Sequence, residues 1–260
     1  MARVIYFICC LKKIERSQQN ISMNSRIIVR IPIELHNRRA IAAALETKHG
    51  TDYLFIGRTL QSTITKNSCG LEVGDRDCQL TKAFKLRPDK ISATTLQQLD
   101  RHQRVIYLTS TDTGYDACCQ MAQYTQIMLD IGGIAIEVET AGLVHDKAKW
   151  QANYNSNDVF EIYSLFVNLI EGDNYHSCGM HNFGKADVAI SLTEDVNLAI
   201  YVMNVFNYYR LTESPILQDG HTFKPDIESP TYRLKWLEDL EYEFDSLMHN
   251  SYGRWYLSRV

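Results

Sequence analysis

The chain lacks most of the signatures that announce a chemistry. Its 5 prolines and 13 glycines are scattered over 260 residues, so no flexible tether divides it. None of its 7 cysteines forms a CxxC pair, which removes the thioredoxin-type redox motif and the close ligand pairs of most structural zinc sites. No G-x-S-x-G nucleophile elbow occurs. The glycines at 70 and 74 and at 179 and 184 fit neither a P-loop nor a dinucleotide fingerprint. Gly132-Gly133 follows a helical pattern instead of preceding one, the wrong polarity for an anion cradle. No repeat period is visible. The apolar run at 4–11 is too short to span a bilayer. It leads into Lys12-Lys13-Ile14-Glu15-Arg16 and not into a small-residue cleavage site, so a secretory signal is not expected. A basic excess is missing too: 27 Lys and Arg face 31 Asp and Glu, which argues against a nucleic-acid partner. The arginines at 26, 30, 38 and 39 read as solvated helix and strand faces.

What is present is the composition of a soluble globular protein, 45% hydrophobic and 22% charged, enough for an ample core. An odd number of cysteines, with adjacent pairs at 9–10 and 118–119 that rarely bridge each other, reads as reduced thiols in a cytoplasmic protein. Met23 stands just before the first convincing strand. Residues 1–22 are therefore read as an extension or loose arm, and 23–260 as one domain with no internal boundary.

Periodicity predicts an α+β (mixed α/β) fold, with one mostly antiparallel central sheet and two dominant helices at about 113–131 and 193–210. Isoleucine-rich alternation marks a strand at 26–33, and helical spacing marks 34–48. Strands are expected at 53–56, 58–65, 79–86, 104–109, 134–138, 159–170, 187–192, 232–237 and 255–260, with a turn at 67–70 and a short helix at 92–101. Segment 141–150 reads as a loop and short helix. In the first dominant helix Ala117, Met121, Tyr124, Met128 and Ile131 fall on one face, with Asp112 or Thr113 as its cap. Thr193 is the expected cap of the second.

Two stretches concentrate chemistry. Cys178-Gly-Met-His-Asn-Phe-Gly-Lys-Ala-Asp187 packs a thiol, an imidazole and a carboxylate between two glycines. With His176, it admits a zinc reading if His221 or His145 supplies a fourth ligand. It also admits a hydrolase reading, in which Cys178 is a thiolate activated by His176 or His181 with Asp187 as orienter. The favoured reading is structural: Gly179 and Gly184 for special backbone angles, Asn182 and Asp187 for turn amides, Met180 and Phe183 as core plugs. No catalytic residue, metal or cofactor is assigned. The second stretch, Glu238-Asp-Leu-Glu-Tyr-Glu-Phe-Asp245, holds five carboxylates, with Leu240, Tyr242 and Phe244 alternating between acids. A solvated helix or edge strand is one reading. The other is an acidic contact surface for a basic partner.

Four passages resemble an uncharacterised bacterial family of unknown function, encountered near polymorphic-toxin and secretion-system genes. They are the helix-to-strand run 117–138, Ala141-Gly-Leu-Val-His145, the 178–187 motif, and the turn Asp219-Gly-His-Thr222, where His221 stands in place of the family's acid. The resemblance covers roughly 104–260. It implies an immunity-type role and supplies no catalytic residues. The leading expectation is a non-enzymatic cytoplasmic protein that occludes a toxin or effector through an acidic, tyrosine-rich surface. Trp236, Glu238, Asp239, Glu241, Tyr242, Glu243 and Asp245 would carry the contact, and neither nucleic acid nor membrane is an expected partner. The alternatives are the Cys/His hydrolase or zinc protein, and an adaptor in a secretion-linked assembly.

Overall fold

The computed structural model describes residues 27–87 and 90–260. The expected arm at 1–22 and Arg26 lie outside the described residues. The fold is α+β, with two sheets in place of the single central sheet expected. The described residues divide into two compact units, one including 27–166 and the other 167–260. The sequence marks no boundary there because the division falls inside an unbroken apolar run, Leu165-Phe-Val167.

The first unit comprises β1 (Ile27–Ile33), α1 (Arg38–His49), β2 (Tyr53–Ile56), β3 (Thr59–Ser62), β4 (Ser68–Asp75), α2 (Cys78–Lys85), α3 (Ala93–Leu99), β5 (Arg104–Ser110), α4 (Tyr115–Asp130), β6 (Ala135–Val138), β7 (Leu143–Asp146), α5 (Lys147–Asn153) and α6 (Val159–Phe166). Its sheet runs β2-β3-β4-β5-β1-β6-β7. β5 and β6 both pair antiparallel with β1, so they run parallel to each other, and α4 makes the crossover between them. This split β-α-β arrangement leaves β1 central and buried on both faces, except at Arg30. Arg30 donates through Nε to Glu137 at 2.7 Å and faces Asp77 and Glu139. It is therefore enclosed by carboxylates and not on a solvated face. Arg38 and Arg39 are exposed, and Arg38 lies 4.0 Å over the Phe55 ring.

Four local expectations change, the first being 141–150, where Leu143–Asp146 is not loop but the strand β7 paired with β6. Segment 79–86 is the helix α2 and not a strand. Asp77 caps it by accepting from Gln79 N at 2.8 Å, and Leu80 and Phe84 enter a core with Leu99, Val105, Tyr107 and Val144. The alternation of Leu80, Phe84 and Leu86 misleads because Leu86 is 75% exposed. Segment 159–170 begins as the helix α6 and turns to strand only at Asn168; a continuous apolar run carries no period to tell the two apart. The turn expected at 67–70 leads into strand β4. Gly70 sits in that strand because a Cβ there would collide with the Thr109 hydroxyl on β5. Helix caps also differ. Gly114, with φ +116°, begins α4 without a side-chain cap.

The second unit comprises β8 (Asn168–Glu171), β9 (Tyr175–Cys178), β10 (Asp187–Ile190), α7 (Val196–Thr212), β11 (Thr222–Phe223), β12 (Tyr232–Leu237) and β13 (Arg254–Arg259). The sheet order is β11-β12-β13-β10-β9-β8, antiparallel except for the β10–β13 pair. Asp195, not Thr193, caps α7, accepting from Asn197 N and Leu198 N. Ala199, Val202, Met203 and Phe206 of α7 pack on Val188, Ile190, Tyr232, Leu234 and Leu257, one face of the sheet. The residues between them in register, Asp187, Ala189, Arg254 and Tyr256, point to the other face.

In the first unit His145 is buried between Trp150 and a backbone acceptor, with Nε2 3.0 Å from the Leu165 carbonyl oxygen. Burial pushes its pKa down to about 3. The unfolded chain takes up the proton near pH 6.5 and the folded chain does not, so stability is full above 6.5 and falls as the pH drops through that window. The expected loss is up to about 1.4 kcal/mol per pH unit. Urea unfolding midpoints at pH 7 and pH 5 should show it, and His145→Gln should flatten the slope.

Candidate functional site

The two chemistry-bearing stretches fold into one structure. The sixteen-residue connection between β12 and β13 does not form the expected helix or edge strand. It folds back as a strap over the sheet face that α7 leaves uncovered, and its polar groups meet the 176–187 motif.

The meeting is a chain of hydrogen bonds. Arg254, the first residue of β13, donates through Nη2 to Asp239 Oδ1 at 2.6 Å and through Nη1 to Glu241 Oε2 at 3.3 Å. Asp239 also accepts from the backbone of Asn250 at 2.9 Å and of Glu241 at 3.1 Å. Asn250 donates through Nδ2 to Asp187 Oδ2 at 2.5 Å. Asp187 Oδ1 accepts from Ser177 Oγ at 2.8 Å and from Met180 N at 3.2 Å, and Ser177 Oγ accepts from Val188 N at 3.0 Å. Every member of this relay is buried or nearly so, which is tolerable because the acceptors are filled.

Beside it, His176 Nδ1 lies 3.2 Å from the Asn174 carbonyl oxygen, which fixes the proton on that nitrogen. Nε2 is then the acceptor for the Tyr242 hydroxyl, 3.2 Å away. The same hydroxyl borders the Cys178 thiol, whose sulfur is 3.9 Å from the Met248 carbonyl oxygen. A thiol, an imidazole and a carboxylate thus come together, but inside packed protein. Burial, with Asp187 adding to it, holds the Cys178 pKa well above the ordinary thiol value. Burial and then Arg254 lower that of His176, and burial raises that of Asp187 against the bonds from Asn250 and Ser177. All three shifts favour neutral forms. The thiolate–imidazolium pair that nucleophilic catalysis needs is the form this environment disfavours.

His181 is buried in the 3-10 turn Met180–Phe183, between Gly179 at φ +119° and Gly184 at φ +69°. Met180, Asn182 and Phe183 are buried in the same turn. His221 is exposed before β11, and His145 belongs to the other unit. Among the described residues no three His, Cys, Asp or Glu side chains are arranged to hold a metal ion, and no helix is long and apolar enough to cross a membrane.

The expected contact residues separate into two sets. Asp239, Glu241 and Tyr242 turn inward and hold the strap, so they are not free contact groups. Glu238, Glu243 and Asp245 are exposed. Between them stand Leu240 at 87% and Phe244 at 88% exposure, apolar side chains outside the expected contact set. Trp236 is partly exposed and fixed at both ends: its backbone N donates to Asp219 and its Nε1 to the Tyr252 carbonyl. The signal for Leu240 and Phe244 was in the sequence. Once 238–245 is a loop, its apolar residues have no sheet to cover, and two large ones remain outside.

Comparison with protein-family models, with curated proteins and with solved structures gives no match. The chemistry of the strap therefore follows from geometry alone.

Gly253 closes the strap at φ +77°, where a Cβ would meet the Leu237 carbonyl oxygen and the Trp236 ring at 2.6 Å. Gly253→Ala is expected to destabilise the chain by more than the ~1–2 kcal/mol of left-handed backbone strain alone. Gly57→Ala, at φ +58° with open space around it, should cost only that strain. Urea unfolding of the two variants tests the difference. Thiol labelling tests the sealed cluster. Iodoacetamide should modify exposed Cys78 at least about a hundredfold faster than Cys178, which must wait for the strap or the unit to open. Equal rates, read by peptide mass spectrometry, would restore a reactive role for Cys178.

Proposed function

We propose that this protein is a non-enzymatic cytoplasmic binding protein of immunity type, which neutralises a toxin or effector by occluding it with the outer surface of the strap. The observation that carries this reading is the exposure of Leu240 and Phe244 among Glu238, Glu243 and Asp245, on a loop whose inner side is held by Arg254, Asn250 and Tyr242. Leu240 and Phe244 are among the most exposed large apolar side chains of the described residues, and exposed apolar groups rimmed by polar ones mark contact sites. A loop already held in one conformation loses little entropy on docking, which favours affinity. Carboxylates around the apolar pair steer a basic partner and reject acidic ones. Thiol chemistry gains no support from a Cys178 that is buried and held neutral.

The partner is expected among the products of neighbouring reading frames, as a protein that arrests growth alone and is harmless when co-expressed with this chain. Phe244→Ala, and Glu243→Lys with Asp245→Lys, should each weaken that complex by at least about thirtyfold, the scale of an interface hot spot. Glu46→Lys, on the exposed face of α1, should leave it unchanged. Calorimetry on the purified complex reads the affinities and growth rescue reads the consequence. Undiminished affinity in both strap variants would retire the proposal.

A further inference from the structure

We propose that the groove at the root of the strap is an anchoring pocket for one arginine side chain of the protein partner, an inference that rests on the strap's role as a partner surface. The groove encloses about 450 Å³, and its lining includes Asp173, Leu237, Glu238, Leu240, Arg254 and Tyr256. It lies on the sheet face that the strap crosses: Leu237 pairs with Arg254 in register, and Tyr256 with Ala189.

Its charge is unbalanced. Arg254 is the one cation lining it among the described residues, and Asp239 and Glu241 already neutralise that guanidinium. Asp173, in the turn between β8 and β9, and Glu238, at the start of the strap, are both exposed, and neither forms an ion pair among the described residues. Two unneutralised carboxylates thus approach the groove from separate segments. Leu237, Leu240 and the ring of Tyr256 supply apolar lining.

That combination fits a long side chain with an aliphatic stem and a cationic end. Arginine fits better than lysine. Its planar, weakly hydrated guanidinium stacks on an aromatic ring and donates in two directions at once, as two separated carboxylates require. An anionic ligand would be repelled, and a purely apolar one would strip water from Asp173 and Glu238 without replacing it. The pocket adjoins Leu240, so an arginine seated in it places the partner's neighbouring residues against the exposed apolar pair.

The test is titration of the isotope-labelled full chain with N-acetylarginine methylamide, and with the citrulline analogue, which has the same shape without the charge. Saturable amide shifts are expected at Asn174, Glu238, Leu240 and Tyr256. Affinity should be roughly fivefold higher for arginine, the scale of an exposed ion pair, and should fall with added salt. The double variant Asp173→Asn, Glu238→Gln changes only exposed side chains and should abolish the preference. Equal responses to the two compounds, or a preference that survives the double variant, would overturn the assignment. Partner binding separates the two ideas. Strap variants that lose the partner while the groove ignores arginine sink the groove alone. An arginine-selective groove in a chain whose strap variants still bind sinks the strap reading, and with it the assignment of that arginine to the partner.

Discussion

Arg254 and Asp239 form an ion pair almost without water, with side chains 9% and 2% exposed. Such a pair is a poor source of net stability, because desolvating two charges consumes most of what their attraction returns. Its effect is directional. Removing either partner by substitution leaves the other charge buried and alone, which costs about 3–5 kcal/mol. Arg254 begins β13 and is fixed by pairing with β10 and β12. Asp239 is the second residue after β12 ends. The pair therefore ties the two ends of a sixteen-residue loop at one point, and the relay through Asn250 to Asp187 ties its far limb to the middle of the sheet.

From that constraint the division of the strap follows. Polar atoms that reach the sheet must be satisfied there, and Asp239, Glu241, Tyr242 and Asn250 are the residues that reach it. Of the residues set between them, Leu240, Glu243, Phe244 and Asp245 face out. Leu240 and Phe244 are outside because their neighbours are committed inside. The alternation in the sequence thus separates anchors from display, and the displayed set mixes large apolar groups with carboxylates. The 176–187 motif belongs to the same system. Its glycines bend the chain so that Ser177, Met180 N and Asp187 converge, which makes the receptor for Asn250.

Much of this was legible in the residues. Isoleucine alternation in β1, the one-sided spacing of Met121, Tyr124 and Met128 in α4, and the apolar length of α7 specify their elements locally, and the α+β class follows. Legibility ended where tertiary context decides. Leu80-Thr-Lys-Ala-Phe84 satisfies both periods, and only the capping by Asp77 and the exposure of Leu86 select the helix. Glycine 70 reads as a turn because the close approach of Thr109 that requires it is a long-range fact. The two compact units were invisible because the chain passes from one to the other within an apolar run. In the site, both stretches stood out by composition, but their union did not. Asp187 and Asn250 are 63 positions apart in sequence, and no spacing rule joins them.

The neutral forms favoured at Cys178, His176 and Asp187 follow from what surrounds these groups. A nucleophilic site keeps a charged, accessible form within reach of solvent and substrate. Here each group spends its hydrogen-bonding capacity on a neighbour in the strap: the Cys178 thiol on Met248, the His176 imidazole on Tyr242, the Asp187 carboxyl on Asn250. Three contacts from three parts of one loop, to three residues within twelve positions of one another, give the strap a unique seat and not merely an adhesive one. Apolar packing alone would hold the loop with comparable strength, but it would tolerate sliding, since dispersion contacts carry little directional preference. The contact surface proposed above requires exposed side chains held in fixed relative positions. Directional polar contacts beneath the loop supply that fixity where a sheet or helix does not.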